Sequence, residues 1–299
     1  MKKIVKNLAV LVALGCSGIA SAGDEGWLVD FAAAKKAAVE SKKDVLMDFT
    51  GSDWCGWCIA LKKEVFGQAP FKTGVKDKFV LVEVDFPKDK SKLSAETIKQ
   101  NTELGQEYGI HGYPTVLLCD ATGKPYAVTG YKEGGPTAYL KELDGLRAHK
   151  LTRDRSFQAA EKAQGLEKAK ALIAALTAMG LNDKMVLKFY GDIPTQIKEA
   201  DPKDETGFAK REAFKTEHEK LLDKDDHEGI LVFIDKALKD GVHSPEENQE
   251  MMMSKVYAYA NLKRFPEAIK AVDQAKAFAP KSAMVPKIDK LKQKLMQEK

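Results

Sequence analysis

The sequence predicts an α/β domain, a central sheet flanked by helices, followed by an all-helical region. Three observations carry that expectation. Short apolar runs of strand length alternate with helix-period stretches as far as about residue 148. Strand signals then stop, and the rest of the chain reads as successive helices. A Cys-Gly-Trp-Cys segment at 55–58 falls where a strand gives way to a helix.

Trp27 to Ser41 reads as an amphipathic helix, with Trp27, Leu28, Phe31, Ala34 and Ala38 on one face. Val45 to Phe49 has the look of a buried strand, and Thr50-Gly51-Ser52-Asp53 breaks it. A helix is expected from about Trp57, with Cys58, Leu61, Val65 and Phe66 facing inward. Phe79 to Asp85 is a second strand and Ser94 to Tyr108 a helix. Thr115 to Cys119 follows as a strand, with Pro125 to Thr129 pairing back across the turn at 120–123. Pro136 suits a first helical position and opens a helix through Leu140, Leu143 and Leu146. The first half of the sheet is therefore expected to be mostly parallel. Beyond residue 150, helices are expected over 153–180, 186–200, 208–222, 226–240, 246–262, 265–279 and 283–298.

The chain has 299 residues, 31% charged and 44% hydrophobic, with a formal net charge of +4. That balance excludes a collagen, a disordered tail and a disulfide-dense miniprotein, and the single outstanding apolar run, at the N-terminus, excludes a polytopic membrane protein. Lys2, Lys3 and Lys6, the apolar run Leu8 to Ile19 and Ala20-Ser21-Ala22 read as an export signal cut before Gly23. A lipoprotein anchored through Cys16 is the alternative, but Ala13 and Leu14 fit it poorly. Removing residues 1–22, with their three Lys and no acid, leaves a net charge of +1. No basic field for nucleic acid remains. The exported chain is expected in the periplasm or an equivalent oxidising space, where thiols pair. Cys55, Cys58 and Cys119 are the cysteines left.

Asp53-Trp54-Cys55-Gly56-Trp57-Cys58 places Cys55 at a helix N-terminus, whose free N–H groups and dipole favour a thiolate. Cys58 falls one turn in and is shielded. An accessible low-pKa Cys with a buried neighbour suits attack on a disulfide followed by intramolecular resolution. Three other readings compete. A structural staple across four residues removes little unfolded-state entropy. Half a zinc site lacks its other two ligands, so no metal site is expected. A copper carrier would use thiolates at similar spacing.

Two separated segments, Val45 to Phe49 before Trp54-Cys55-Gly56-Trp57-Cys58 and Tyr108-Gly109-Ile110-His111-Gly112-Tyr113-Pro114-Thr115, make residues 25–148 resemble thioredoxin. The resemblance implies a thioredoxin fold with Cys55 as attacking thiol, Cys58 as resolving thiol and a cis Tyr113–Pro114 peptide against the pair. The missing proline N–H leaves a backbone edge for an extended substrate strand. Asp48 is an acid in an apolar strand, so its pKa should be raised and it could move the Cys58 proton. It stands one residue further from the first Cys than in thioredoxin. Gly-Trp replaces the Gly-Pro of thioredoxin, so the redox potential is not legible here. Residues 88–92 belong to a longer insertion, expected either as a solvated surface helix or as a segment that reshapes the substrate groove. Trp54, Trp57, Tyr113 and Pro114 are the expected substrate-binding residues. His111 is expected at the surface and Cys119 as a buried inert thiol.

Residues 249–280 resemble one tetratricopeptide repeat, through Tyr259, Phe265, Glu267-Ala268-Ile269, Ala275 and Pro280. Met251-Met252-Met253 should place one or two side chains in the core, since a helix turns successive residues to different faces. The expected divisions are 1–22 (leader), 23–149 (thioredoxin-like) and 150–299 (helical, tetratricopeptide-like). The expected function is an exported thiol–disulfide oxidoreductase that reduces, forms or isomerises disulfides in client proteins, with no dissociable cofactor. The expected partners are client thiols or disulfides, a membrane electron donor or acceptor and a protein on the helical half. A client-binding helical module with a passive disulfide, or a copper-handling protein, are the alternatives.

Overall fold

The computed structural model describes residues 26–241 and 244–298. The leader, with Lys2, Lys3, Lys6 and Cys16, lies outside the described residues. No helix among the described residues is long and apolar enough to cross a membrane.

The chain opens with β1 (Trp27–Leu28), α1 (Phe31–Ser41), β2 (Asp44–Thr50) and α2 (Gly56–Leu61). One π-helical turn (Lys62–Phe66), α3 (Ala69–Val75), β3 (Phe79–Asp85), a 3₁₀ turn (Lys90–Lys92) and α4 (Ala95–Glu107) follow. Next come β4 (Thr115–Cys119), β5 (Pro125–Thr129), α5 (Gly135–Lys162), α6 (Gly165–Met179) and α7 (Asp183–Tyr190). The remaining elements are α8 (Ile193–Ala200), α9 (Phe208–Asp223), α10 (His227–Asp240), α11 (Pro245–Asn261), α12 (Phe265–Phe278) and α13 (Val285–Gln297).

The five strands form one mixed sheet in the order β1-β3-β2-β4-β5. β1, β3 and β2 run parallel, and β4 and β5 complete the sheet antiparallel. The expected parallel first half is therefore present, and the β4–β5 hairpin forms as read. Side chains alternate along β2. Val45, Met47 and Phe49 pack with Phe31, Ala34 and Ala38 of α1 and Leu104 and Tyr108. Leu46 and Asp48 therefore face the other side, and both are buried.

Three local expectations are corrected. Trp27 and Leu28 belong to an edge strand against Leu81 and Val82, not to the first helix. The helix starts later because Asp30 caps it, accepting from the Ala33 N–H at 3.0 Å. α5 is one unbroken helix from Gly135 to Lys162 where one helix through Leu146 and another from residue 153 were expected, since no Gly or Pro stands between Gly145 and Gly165. All three of Met251, Met252 and Met253 are buried. α11 has cores on two sides: Met251 packs with Ile230 and Ile234, while Met252 and Met253 pack with Ala268 and Val272.

Contacts divide the described chain into two compact units, 26–159 with 174–192, and 160–173 with 193–298. Packing in the first unit thus continues beyond residue 149. Met185 of α7 is buried in its core, and the Phe189 ring lies 4.7 Å from that of Tyr108. The second unit is all-helical. In it Gln249 is buried and donates to the carbonyls of Ala275 and Ala279, both at 3.0 Å, closing the C-terminal end of α12.

Candidate active site

The loop from β2 to α2 is pinned at every residue. The Gly51 carbonyl accepts from the N–H of Trp54 at 3.2 Å and of Cys55 at 2.9 Å. The Ser52 N–H donates to the Asp85 carboxylate at 2.9 Å, tying the loop to the end of β3. Asp53 accepts from the backbone N–H groups of Lys88 and Asp89, at 2.9 and 3.2 Å, and from Lys92 Nζ at 3.1 Å. The Lys88 N–H above all, with Asp89 and Lys92, holds the Asp53 carboxyl down to about 2. Trp54 Nε1 donates to the Phe86 carbonyl at 2.8 Å. The insertion at 88–92 is exposed, but it is a short 3₁₀ turn that grips the cysteine loop rather than a free surface helix.

Cys55 and Cys58 form a disulfide with a Cα–Cα distance of 5.2 Å. Cys55 is the N-cap of α2, and its Sγ accepts from the Cys58 N–H at 3.2 Å. Cys55 keeps 7% of its surface exposed and Cys58 3%, so the first sulfur is only slightly the more open. The Tyr113–Pro114 peptide is cis, as expected.

The aromatic residues divide into two groups. The Trp54 ring lies 5.6 Å from that of Tyr113, edge to face, and Phe86 lies 5.3 Å from Tyr113. Trp57, the most exposed of the set at 61%, packs instead on Tyr131 at 4.9 Å. Tyr131 donates to Glu64 at 2.8 Å. Phe86 and Tyr131 were missed in the sequence because neither lies near the cysteines along the chain. His111 is exposed, with Nε2 3.1 Å from Lys184 Nζ. Cys119 is a free, fully buried thiol whose pKa burial pushes up, in keeping with an inert role.

Asp48 is buried in β2. It and Cys58 line one cavity of about 260 Å³, with Thr50, Lys62 and Glu83 among the other walls. Asp48 Oδ1 is buried and has no hydrogen-bond partner among the described residues. Burial raises its pKa well above the usual carboxylate range, with Glu83 and Asp85 adding to the rise and Lys62 opposing it.

A family model described as a thioredoxin-like domain matches residues 31–144. A disulfide bond reductase of Chlamydia pneumoniae, DsbH, is 34% identical over 113 residues, covering 38% of this chain and 68% of that protein. The chain belongs to the thioredoxin-like family. A thioredoxin-related protein of Chlamydia pneumoniae, DsbJ, is 34% identical over 128 residues, covering 40% of this chain and 36% of its own. A solved DsbH oxidoreductase structure is 30% identical, covering 45% of this chain and 92% of its own, with a TM-score of 0.39. As a thioredoxin-like protein the chain is a thiol–disulfide oxidoreductase, and Cys55 and Cys58 pair in its Cys-x-x-Cys motif.

Proposed function

We propose that the chain reduces disulfides in exported client proteins, with Cys55 attacking, Cys58 resolving and Asp48 moving the Cys58 proton. The observation that carries the Asp48 role is the shared cavity that Asp48 and Cys58 line. The Cys55 thiolate attacks one client sulfur, forming a mixed disulfide and releasing the other client sulfur as a thiolate. Cys58 gives its proton to Asp48 and attacks Cys55 Sγ. The Cys55–Cys58 bond forms, the second client sulfur leaves and takes up a proton, and two electrons have passed to the client. An external dithiol then restores the reduced pair. The direction rests on the name of the reductase relative.

An extended client strand would lie along Trp54, Tyr113 and Pro114, with Trp57 flanking it. The rim is supported by the exposure of Trp54 and Trp57 beside the disulfide. We further propose residues 1–22 as a cleaved export signal, the periplasm as the compartment and a membrane electron donor. Residues 23–149 would carry the chemistry. Residues 150–299 would hold a partner through tetratricopeptide-like helix pairs, of which α11 and α12 are the best example.

Replacing Cys58 by Ser should trap the mixed disulfide, so that a disulfide-bonded peptide leaves a stable covalent adduct on Cys55. Cys55→Ser should give no adduct and no turnover. An adduct on Cys58 instead, or none with either variant, would reject these roles. The reduction potential tests direction: a value near the roughly −270 mV of thioredoxin supports a reductase, and one near about −120 mV an oxidase.

A further inference from the structure

We propose that Glu83 and Lys62 are a positioning pair for Asp48, setting the pH at which Asp48 can accept the Cys58 proton. The parallel register sets Asp48 directly opposite Glu83, so both carboxyl side chains leave the same face of the sheet. Both line the cavity that Cys58 also lines. Lys62 stands four residues after Cys58, one helical turn on, and it too lines that cavity. Its Nζ is 3.5 Å from Glu83 Oε2. The acid expected to take the proton therefore has a second acid opposite it in the sheet, and that second acid holds a cation. This inference rests on the proton-transfer role proposed for Asp48.

The charged and titratable groups around Asp48 come from every neighbouring element. β3 supplies Glu83 and Asp85, the π-helical turn Lys62 and Lys63, α3 Lys72, α2 Cys58, and α5 the buried Tyr139. Asp85 is committed to Ser52, whose N–H and hydroxyl both donate to it. Tyr139 stays neutral, because burial pushes its pKa up. Glu83 and Lys62 are the oppositely charged pair in mutual contact on the cavity wall that acts on Asp48, with Asp85 adding to the Glu83 effect. Like charges in a shared site disfavour ionisation, and an opposite charge favours it. Glu83 thus holds the Asp48 proton on to higher pH, and Lys62 works against it. Both side chains reach solvent, at 18% and 46% exposure, which weakens but does not abolish their fields.

The test uses the full chain and its two charge-removing variants, Glu83→Gln and Lys62→Gln. The rate of mixed-disulfide resolution is followed against pH with a glutathione-linked peptide, and the Asp48 carboxyl carbon is titrated by NMR in the folded, reduced protein. Glu83→Gln should move the acidic limb and the Asp48 titration to lower pH, and Lys62→Gln should move both to higher pH. The shift should be about half a pH unit each way, scaled down for exposure from the one to three units of closely buried pairs. On the limb, that is about a threefold change in rate in opposite directions. Lys62→Arg keeps the charge and should leave the limb in place. A purely structural ion pair predicts the same effect from both Gln variants, so shifts of one sign, or none, overturn the inference. Asp48→Asn separates the two levels. If it abolishes the limb while the Gln variants leave it unmoved, only the pair is rejected. If it leaves the limb intact, the Asp48 role falls and the pair with it.

Discussion

Asp48 is held where its charge is least welcome. Its folded-state pKa lies above the ordinary 3.8, mainly through burial, so the folded chain binds that proton more tightly than the unfolded chain. Stability from this group is complete below the unfolded value and is lost as pH rises through the folded one. Asp48→Asn removes that loss. It should stabilise the oxidised protein at pH 8 by about 1.4 kcal/mol for each unit of pKa shift, and leave stability at pH 3.5 nearly unchanged. Urea unfolding at the two pH values measures this, and an equal change at both contradicts it. Asp48 was legible in the sequence because it interrupts Val45-Leu46-Met47 and Phe49. Glu83 was not, although it also stands among Val82, Val84 and Leu81. Alternation lets a strand carry a polar residue at such a position, and only the pairing register puts it opposite Asp48.

At the level of elements, the cysteine loop depends on a close approach that no motif announces. A Cβ on Gly51 would lie 2.5 Å from the Trp54 indole. Gly51→Ala should therefore push Trp54 off its site and break the bond from Nε1 to the Phe86 carbonyl. With three tryptophans in the chain, the indole N–H signals are few enough to follow by NMR. The Trp54 signal should move and exchange faster with solvent while the Trp27 signal stays, and client reduction should slow. An unmoved Trp54 signal would show that the loop accommodates the methyl group. The strands β2 to β5 were readable from apolar runs and turn residues. β1 was not, because two residues are too short for any period and Trp27 and Leu28 also continue the apolar face of α1. Asp30 decides the matter as a cap, a role its sequence position alone left open.

At the scale of the whole chain, α7 lies far along the sequence yet packs inside the first compact unit. Met185 is 2% exposed within the core that holds Phe49, Leu104 and Tyr108. Met185→Ala should cost about 2–5 kcal/mol, the usual range for emptying a buried Met site. Trp27, Trp54 and Trp57 all belong to the same unit, so tryptophan fluorescence during urea unfolding reports on it directly. Leu187→Ala, on the same helix but 73% exposed, should change stability by less than about 0.5 kcal/mol. Equal losses from the two variants would mean that α7 contributes only its helix and not its packing.

The sequence by itself determined the fold class, the order of nearly every strand and helix, the Cys-x-x-Cys pair Cys55 and Cys58, and the unusual acid at Asp48. Each of these is written locally, in hydrophobic period, turn residues and the spacing of two cysteines. Tertiary structure alone decided that Asp53 grips residues 88–92, that Glu83 faces Asp48, and that Met185 completes a core begun more than a hundred residues earlier. It also decided that three successive methionines are all buried, because α11 has a core on either side. These contacts join residues far apart in the chain, and their geometry follows from strand register and helix packing, neither of which a linear pattern specifies.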